Sequence, residues 1–139
     1  AYLQNDQAFN NLPAWNSAEV EFSVADVVGN KLTLQSNRVK VGAGVKYVTV
    51  SASAYFLGNT PEGQLRAWVQ VINTSGAEKL GVESYMYKAN QNINTMLIVP
   101  TRTVAVEEGE TIRLAIQIGN TATFNLVQRG TTLHVEVVE

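Results

Sequence analysis

The chain has one histidine, His134, inside "TTLHVEVVE", and no other side chain whose ordinary pKa suits a general base near neutral pH. A nucleophilic triad needs that base beside a hydroxyl and a carboxylate. On a strand, the same-face neighbours of His134 are Thr132, Glu136 and Val138, the setting of an exposed or interface residue. His134 and Glu136 offer two metal ligands where a zinc site wants three or four. Glu107, Glu108 and Glu110 cluster around Gly109 in a turn. Glycosidase carboxylates instead face each other across a cleft, about 5–9 Å apart, so this cluster reads as a solvated turn. It also lacks the spacing of a calcium-binding EF-hand loop. "GAG" at Gly42–Gly44 precedes a strand and lacks the third glycine of a dinucleotide fingerprint, so it reads as a turn. No catalytic residue, metal or cofactor is assigned, and no enzyme activity is expected.

Binding chemistry is more promising than catalysis. Trp15, Tyr85 and Tyr87 supply flat apolar faces, and Asn90, Gln91, Asn92 and Asn94 supply amide donors and acceptors. Sugars are recognised by that combination, rings stacking on aromatics while hydroxyls pair with amides. Carbohydrate-binding candidates are therefore Trp15, Tyr85, Tyr87, Asn90 and Asn92. The competing reading is plain: Asn serves turns for its own backbone reasons, and tyrosines fill cores or interfaces. "NTS" at Asn73 matches a glycosylation sequon.

Such residues need a scaffold. The 139 residues suit a single domain, 1–139, with 45% hydrophobic and 16% charged residues. A net charge of −2, with basic residues scattered from Lys31 to Arg129, makes no phosphate-binding stripe, so no nucleic acid is expected. The apolar runs are far too short for a membrane-spanning helix. No Cys is present, so there is no disulfide framework. The chain opens Ala1-Tyr2-Leu3 and is expected to be part of a longer polypeptide.

Period-two alternation dominates. "SAEVEFSV" places Val20, Phe22 and Val24 on one side. "QLRAWVQVIN" groups Leu65, Ala67, Val69 and Val71 against Arg66, Trp68, Gln70 and Ile72. "TIRLAIQI" aligns Ile112, Leu114, Ile116 and Ile118. Gly- and Asn-rich breaks separate about eight to ten short strands, which favours an all-β, two-sheet antiparallel sandwich of jelly-roll topology. Residues 1–16, interrupted by Pro13 and several Asn, read as an extended N-terminal arm.

The strand "GVKYVTVSASAYF" puts Val48, Val50, Ala52, Ala54 and Phe56 toward a core. Its other face carries Thr49, Ser51 and Ser53, bracketed by Tyr47 and Tyr55. Each hydroxyl buried without a partner would cost about 1–3 kcal/mol. That row meets water, cross-strand hydroxyls or a neighbouring subunit. "TMLIVP" lacks alternation, and Trp68 and Ile72 oppose the main apolar row of their strand, so both faces ask for cover. Tyr47, Tyr55, Trp68, Met96 and Ile98 are the candidate subunit-interface residues.

Three segments carry a family resemblance. "VKVGAGVKYVTVSASAYF" resembles a strand pair in which a small-residue turn leads into an aromatic and a long alternating strand. "VAVEEGETIRLAIQIGN" resembles a turn leading into an I-x-L-x-I strand, and "TTLHVEVVE" a short closing strand beside the N-terminal arm. Together they resemble the tumour-necrosis-factor-like and complement-globular-head superfamily in its phage or bacterial version. That resemblance implies a homotrimeric jelly roll (TNF-like) in a virion or a bacterial surface appendage. It would be located on a virion or at the cell surface, with other virion or appendage proteins and a cell-surface glycan as partners. A ring of His134 about a threefold axis would then be the one route to a metal site. The expected function is a non-enzymatic structural or attachment domain. The alternatives are a monomeric carbohydrate-binding module of a hydrolase, a purely structural capsid-decoration or fibre protein, and a cytokine-like receptor ligand.

Overall fold

A computed structural model describes residues 7–22, 30–90 and 92–139. Val24 and Gln91, named above, lie outside the described residues, as does the start of the expected arm. Eleven strands run in chain order: β1 (Gln7–Leu12), β2 (Ala18–Glu19), β3 (Leu32–Gln35), β4 (Arg38–Val41), β5 (Tyr47–Phe56), β6 (Gly63–Ile72), β7 (Glu78–Lys88), β8 (Thr95–Ala105), β9 (Thr111–Ile118), β10 (Ala122–Leu126) and β11 (Thr132–Val137). One 3₁₀ turn, Gln128–Gly130, joins the last two, and no α-helix occurs among the described residues.

The strands form two antiparallel sheets. In the first, β5 pairs with β8 along one edge; along the other it pairs with β10 at Phe56 and with β11 from Val48 to Ser53, and β1 lies outside β10. In the second, β9 is flanked by β6 on one side and by β4 and β2 on the other, with β7 beyond β6 and β3 beyond β4. The alternation read from the sequence decides which faces meet. Val48, Val50, Ala54 and Phe56 of β5 face Leu65, Val69, Ile112, Leu114 and Ile116 across one core, all buried. Sheets pack about 10 Å apart, which the small Ala52 and Ala54 help keep. Phe124 of β10 stacks on Phe9 of β1 at 5.1 Å and on Phe56 at 6.0 Å, tying the first sheet's strands together on its inner face.

Three details differ from the sequence reading. Within the described part of the expected arm, residues 7–16, Gln7–Leu12 is strand β1 seated on β10. The strand expected over "SAEVEFSV" is two residues long, although Val20 and Phe22 still enter the core and Val20 N–H donates to the Leu114 carbonyl at 2.9 Å. The run Met96–Val99 does alternate: Leu97 and Val99 point inward, Met96 and Ile98 outward. Opposite Ser51, β8 carries two residues, Pro100 and Thr101, because Val50 pairs with Arg102 and Ala52 with Val99. A proline has no N–H to give a ladder, and an edge-strand bulge tolerates it.

Candidate functional site

Two outward faces carry the residues singled out above. On the first sheet, cross-strand registers set Thr132 beside Ser53, His134 beside Ser51 and Glu136 beside Thr49, with Ile98 on the far side of Ser53 and Met96 beside Tyr55. At its Ser53 end the hydroxyl row is satisfied within the chain. Ser53 Oγ donates to the Gly130 carbonyl at 2.6 Å and lies 2.9 Å from Thr132 Oγ1, while Thr131 Oγ1 accepts the Tyr55 N–H at 3.1 Å. Gly130 holds the row's upper end closed. A Cβ there would stand 2.6 Å from Tyr55 Cδ2, 2.7 Å from Tyr55 Cβ and 2.8 Å from Met96 Cε, so only glycine lets the 3₁₀ turn lie against both side chains. Below it opens a shallow groove of about 490 Å³, lined by Ser51, Ser53, Met96, Ile98, Pro100 and Thr132. Ile98 stands beside it 64% exposed. Tyr47 and Met96 are exposed on the same face, and Tyr55 is half-buried.

Trp68, grouped with these residues in the sequence, belongs to the other sheet. It faces outward from β6 and is nevertheless only 3% exposed. The Arg66 guanidinium, two residues away on the same face, lies 3.9 Å from its ring centroid. Small neighbours make room for the indole: Ala115 is its register partner on β9, and Gly81 lies close to its edge. Arg66 is held there by Glu83 and by Gln117 Oε1 at 3.4 Å. Its buried Nε has no hydrogen-bond partner among the described residues, and the indole π face is what it meets. Burial of Trp68 thus needs no second copy.

The same outward face collects the three aromatics predicted to bind sugar. Register places Tyr85 opposite Arg66 and Tyr87 opposite Gln64, and Gly119 N–H donates to the Gln64 carbonyl at 2.8 Å. The Trp15 indole lies over Gly119, where a Cβ would meet ring atoms at 3.3 and 3.4 Å. Gln117 donates to the Trp15 carbonyl, and Trp15 N–H donates to Ile118 at 2.8 Å. Trp15, Tyr85 and Tyr87 are 52%, 51% and 71% exposed. A hydrogen bond with Glu83 raises the Tyr85 phenol above its ordinary pKa.

Asn90 and Asn92 serve their own turn: Asn90 Oδ1 accepts the Asn92 N–H at 2.8 Å. Asn94 Oδ1 accepts the Gly58 N–H at 2.6 Å. Among the described residues none of the three bonds to Trp15, Tyr85 or Tyr87, and Asn94 Nδ2 instead lies 3.5 Å from the Tyr55 hydroxyl. Gln64, Gln117 and Arg66, which the sequence reading passed over, supply the polar groups there instead. The available signal was parity, since all three share the outward face with Trp68.

The remaining polar residues are structural in their placement. His134 is exposed and lies 3.8 Å from Glu136. Among the described residues no group of three or more His, Cys, Asp or Glu is placed to hold a metal ion. Glu107 and Glu108 are solvated as expected, but Glu110 is buried, accepting the Glu107 N–H at 2.7 Å and pairing with Lys79 at 2.9 Å. Asn73 Oδ1 accepts the Ser75 N–H at 3.1 Å, the Ser75 hydroxyl at 2.7 Å and the Ala77 N–H at 3.0 Å, closing the β6–β7 turn. Lys88, inward-facing and buried, donates Nζ to the carbonyls of Thr60 at 2.7 Å, Gly58 at 3.3 Å and Leu57 at 3.4 Å; burial lowers its pKa.

No protein-family model matches the chain, and no curated protein matches it in sequence. Solved structures do match in fold. Murine APRIL at pH 5.0 superposes with a TM-score of 0.71 at 13% identity, covering 96% of this chain and 98% of that one. The same protein at pH 8.0 gives 0.68 at 14% identity with the same coverage. Eiger TNF from S. frugiperda gives 0.66 at 8% identity, covering 97% of this chain and 92% of that one. The chain has the fold of the tumour-necrosis-factor jelly rolls: an all-β, two-sheet antiparallel sandwich. Among its described residues no helix is long and apolar enough to cross a membrane.

Proposed function

We propose that the chain is a non-enzymatic, homotrimeric assembly and attachment domain of a virion or bacterial surface appendage. The observation that carries this reading is the outward face of the first sheet. Ile98 and Met96 leave apolar surface in water along a shallow groove, with Tyr47 exposed at the opposite end of β5, while the Ser53 and Thr132 hydroxyls beside the groove are already paired within the chain. Covering the groove costs little at Ser53 and Thr132, because their hydroxyls keep these partners when water leaves. A ring of three copies needs two unlike patches on each chain. The groove lined by Met96 and Ile98 is suited to be one, and the exposed Tyr47 and Val138 at the opposite end of β5 to be the other. The TNF-like fold supports the same arrangement.

Light scattering across a dilution series tests it. The proposal expects three times the 15.1 kDa chain mass at micromolar concentration. A mass of one chain at high protein concentration overturns it, and would favour the monomeric binding-module reading.

A further inference from the structure

We infer that Trp15, Tyr87 and Tyr85 form a stacking platform for a neutral glycan on the outward face of the second sheet. The inference deepens the attachment half of the reading above and does not depend on the trimer.

Backbone strain is the first observation. Pro13–Asn16 is a tight turn closed by Asn16 N–H to the Pro13 carbonyl at 3.1 Å, and its third residue, Trp15, has φ 63. Glycine or asparagine fits that left-handed region readily; a bulky side chain is an outlier there. Strain of this kind gathers at ligand clamps. Here it delivers an indole whose Cζ2 and Cη2 atoms lie against Gly119 and which remains 52% exposed. Packing within the chain therefore uses only part of what the strained turn presents.

The second observation is what the indole joins. Gly119, Gln64 and Tyr87 form one row across β9's end, β6 and β7, followed by Gln117, Arg66 and Tyr85. Neighbouring strands lie about 4.8 Å apart, so Trp15 and Tyr87 stand over backbones about 10 Å apart. Gln64 lies between them, its side-chain amide without a hydrogen-bond partner among the described residues. Two apolar walls with an amide floor match a sugar ring, whose C–H faces stack and whose hydroxyls need donors and acceptors.

Charge decides the class. The nearest cation, Arg66, is neutralised by Glu83 and stacked on Trp68, so nothing on the platform attracts an anionic sugar. The exposed Glu62 next to this row would repel one. A second copy of the chain is the other conceivable occupant; the unpaired amide in the centre suits a hydroxylated ligand better than a dry protein interface.

A printed array of neutral hexose oligosaccharides beside sialylated and sulfated glycans tests the platform, followed by tryptophan-fluorescence titration with whichever neutral glycans are retained. The inference expects neutral glycans only, with affinity falling tenfold or more in Tyr87→Ala and in Trp15→Gly. Trp15→Gly also relieves the left-handed strain, so its unfolding midpoint should stay level or rise while binding is lost. Retention of no neutral glycan, preference for acidic ones, or unchanged binding by both variants overturns the platform. The mass of the same samples separates the two readings. A trimer that binds no sugar sinks only the platform, and a monomer that binds through Trp15 sinks only the trimer. A Trp15→Gly variant that loses trimeric mass shows that a second copy occupies this face.

Discussion

Ile98→Ser puts the proposed assembly to its sharpest test, because the side chain contributes little to its own monomer. Fully burying an isoleucine is worth about 1.5–3 kcal/mol. Ile98 is 64% exposed in the single chain, so a trimer that covers it gains about 1–2 kcal/mol per copy by the same scale. Three symmetry-related copies bring that to about 3–6 kcal/mol, which weakens assembly about 10²- to 10⁴-fold. Sedimentation equilibrium on parent and variant over a wide dilution range measures the shift directly. Monomer stability supplies the control: an outward residue on an edge strand leaves the core intact, so near-ultraviolet circular dichroism and the urea midpoint of dissociated chains should match. Superimposable dissociation curves would refute the reasoning. So would a variant that dissociates only because its fold has loosened.

Three further outcomes follow from the packing. Gly130→Ala forces a Cβ to within 2.8 Å of Tyr55 and Met96 atoms; overpacking of this kind costs about 1–3 kcal/mol, read as a lowered urea midpoint, and an unchanged midpoint would show that the turn moves aside freely. Glu110→Ala strips the Glu107 N–H and Lys79 of their shared acceptor, with an expected loss of about 1–3 kcal/mol in the same assay. Burial lowers the Lys88 pKa in the folded chain, so between that lowered value and the unfolded value of about 10.4 the unfolded state holds more protons and stability rises with pH. Wild type should therefore gain on Lys88→Met as pH climbs from 7 toward 10 in parallel denaturation curves, and a falling difference would reverse the assignment.

Much of the fold was legible in the sequence because burial in a sandwich repeats every two residues. Val48 through Phe56 and Ile112 through Ile118 announced their faces without help from any neighbour. What escaped was whatever depends on a partner strand. Trp68 looked uncovered because its cover, Arg66, is polar by type and becomes a lid only when Ala115 and Gly81 leave space for the indole to lie flat. Trp15, Tyr85 and Tyr87 carried their chemistry in their side chains, yet the row that gathers them needs β6 between β7 and β9. The amide that register sets between Trp15 and Tyr87 is that of Gln64, while the Asn90 side chain accepts the Asn92 N–H in a separate turn. Glu110 read as one acid among three in a turn, and nothing local marks it as the one that folds inward.

The placement of β10 and β11 along a single edge of β5 bears on how the protein is made. Until Val137 has left the ribosome, β5 has a bare edge from Val48 to Ser53, and β1 waits for a partner more than a hundred residues downstream. Pairings so distant in the chain close slowly and leave an open strand edge while they do. Synthesis stalled before β11 would release a sticky intermediate, so soluble yield from chains cut short of Thr132 should collapse abruptly.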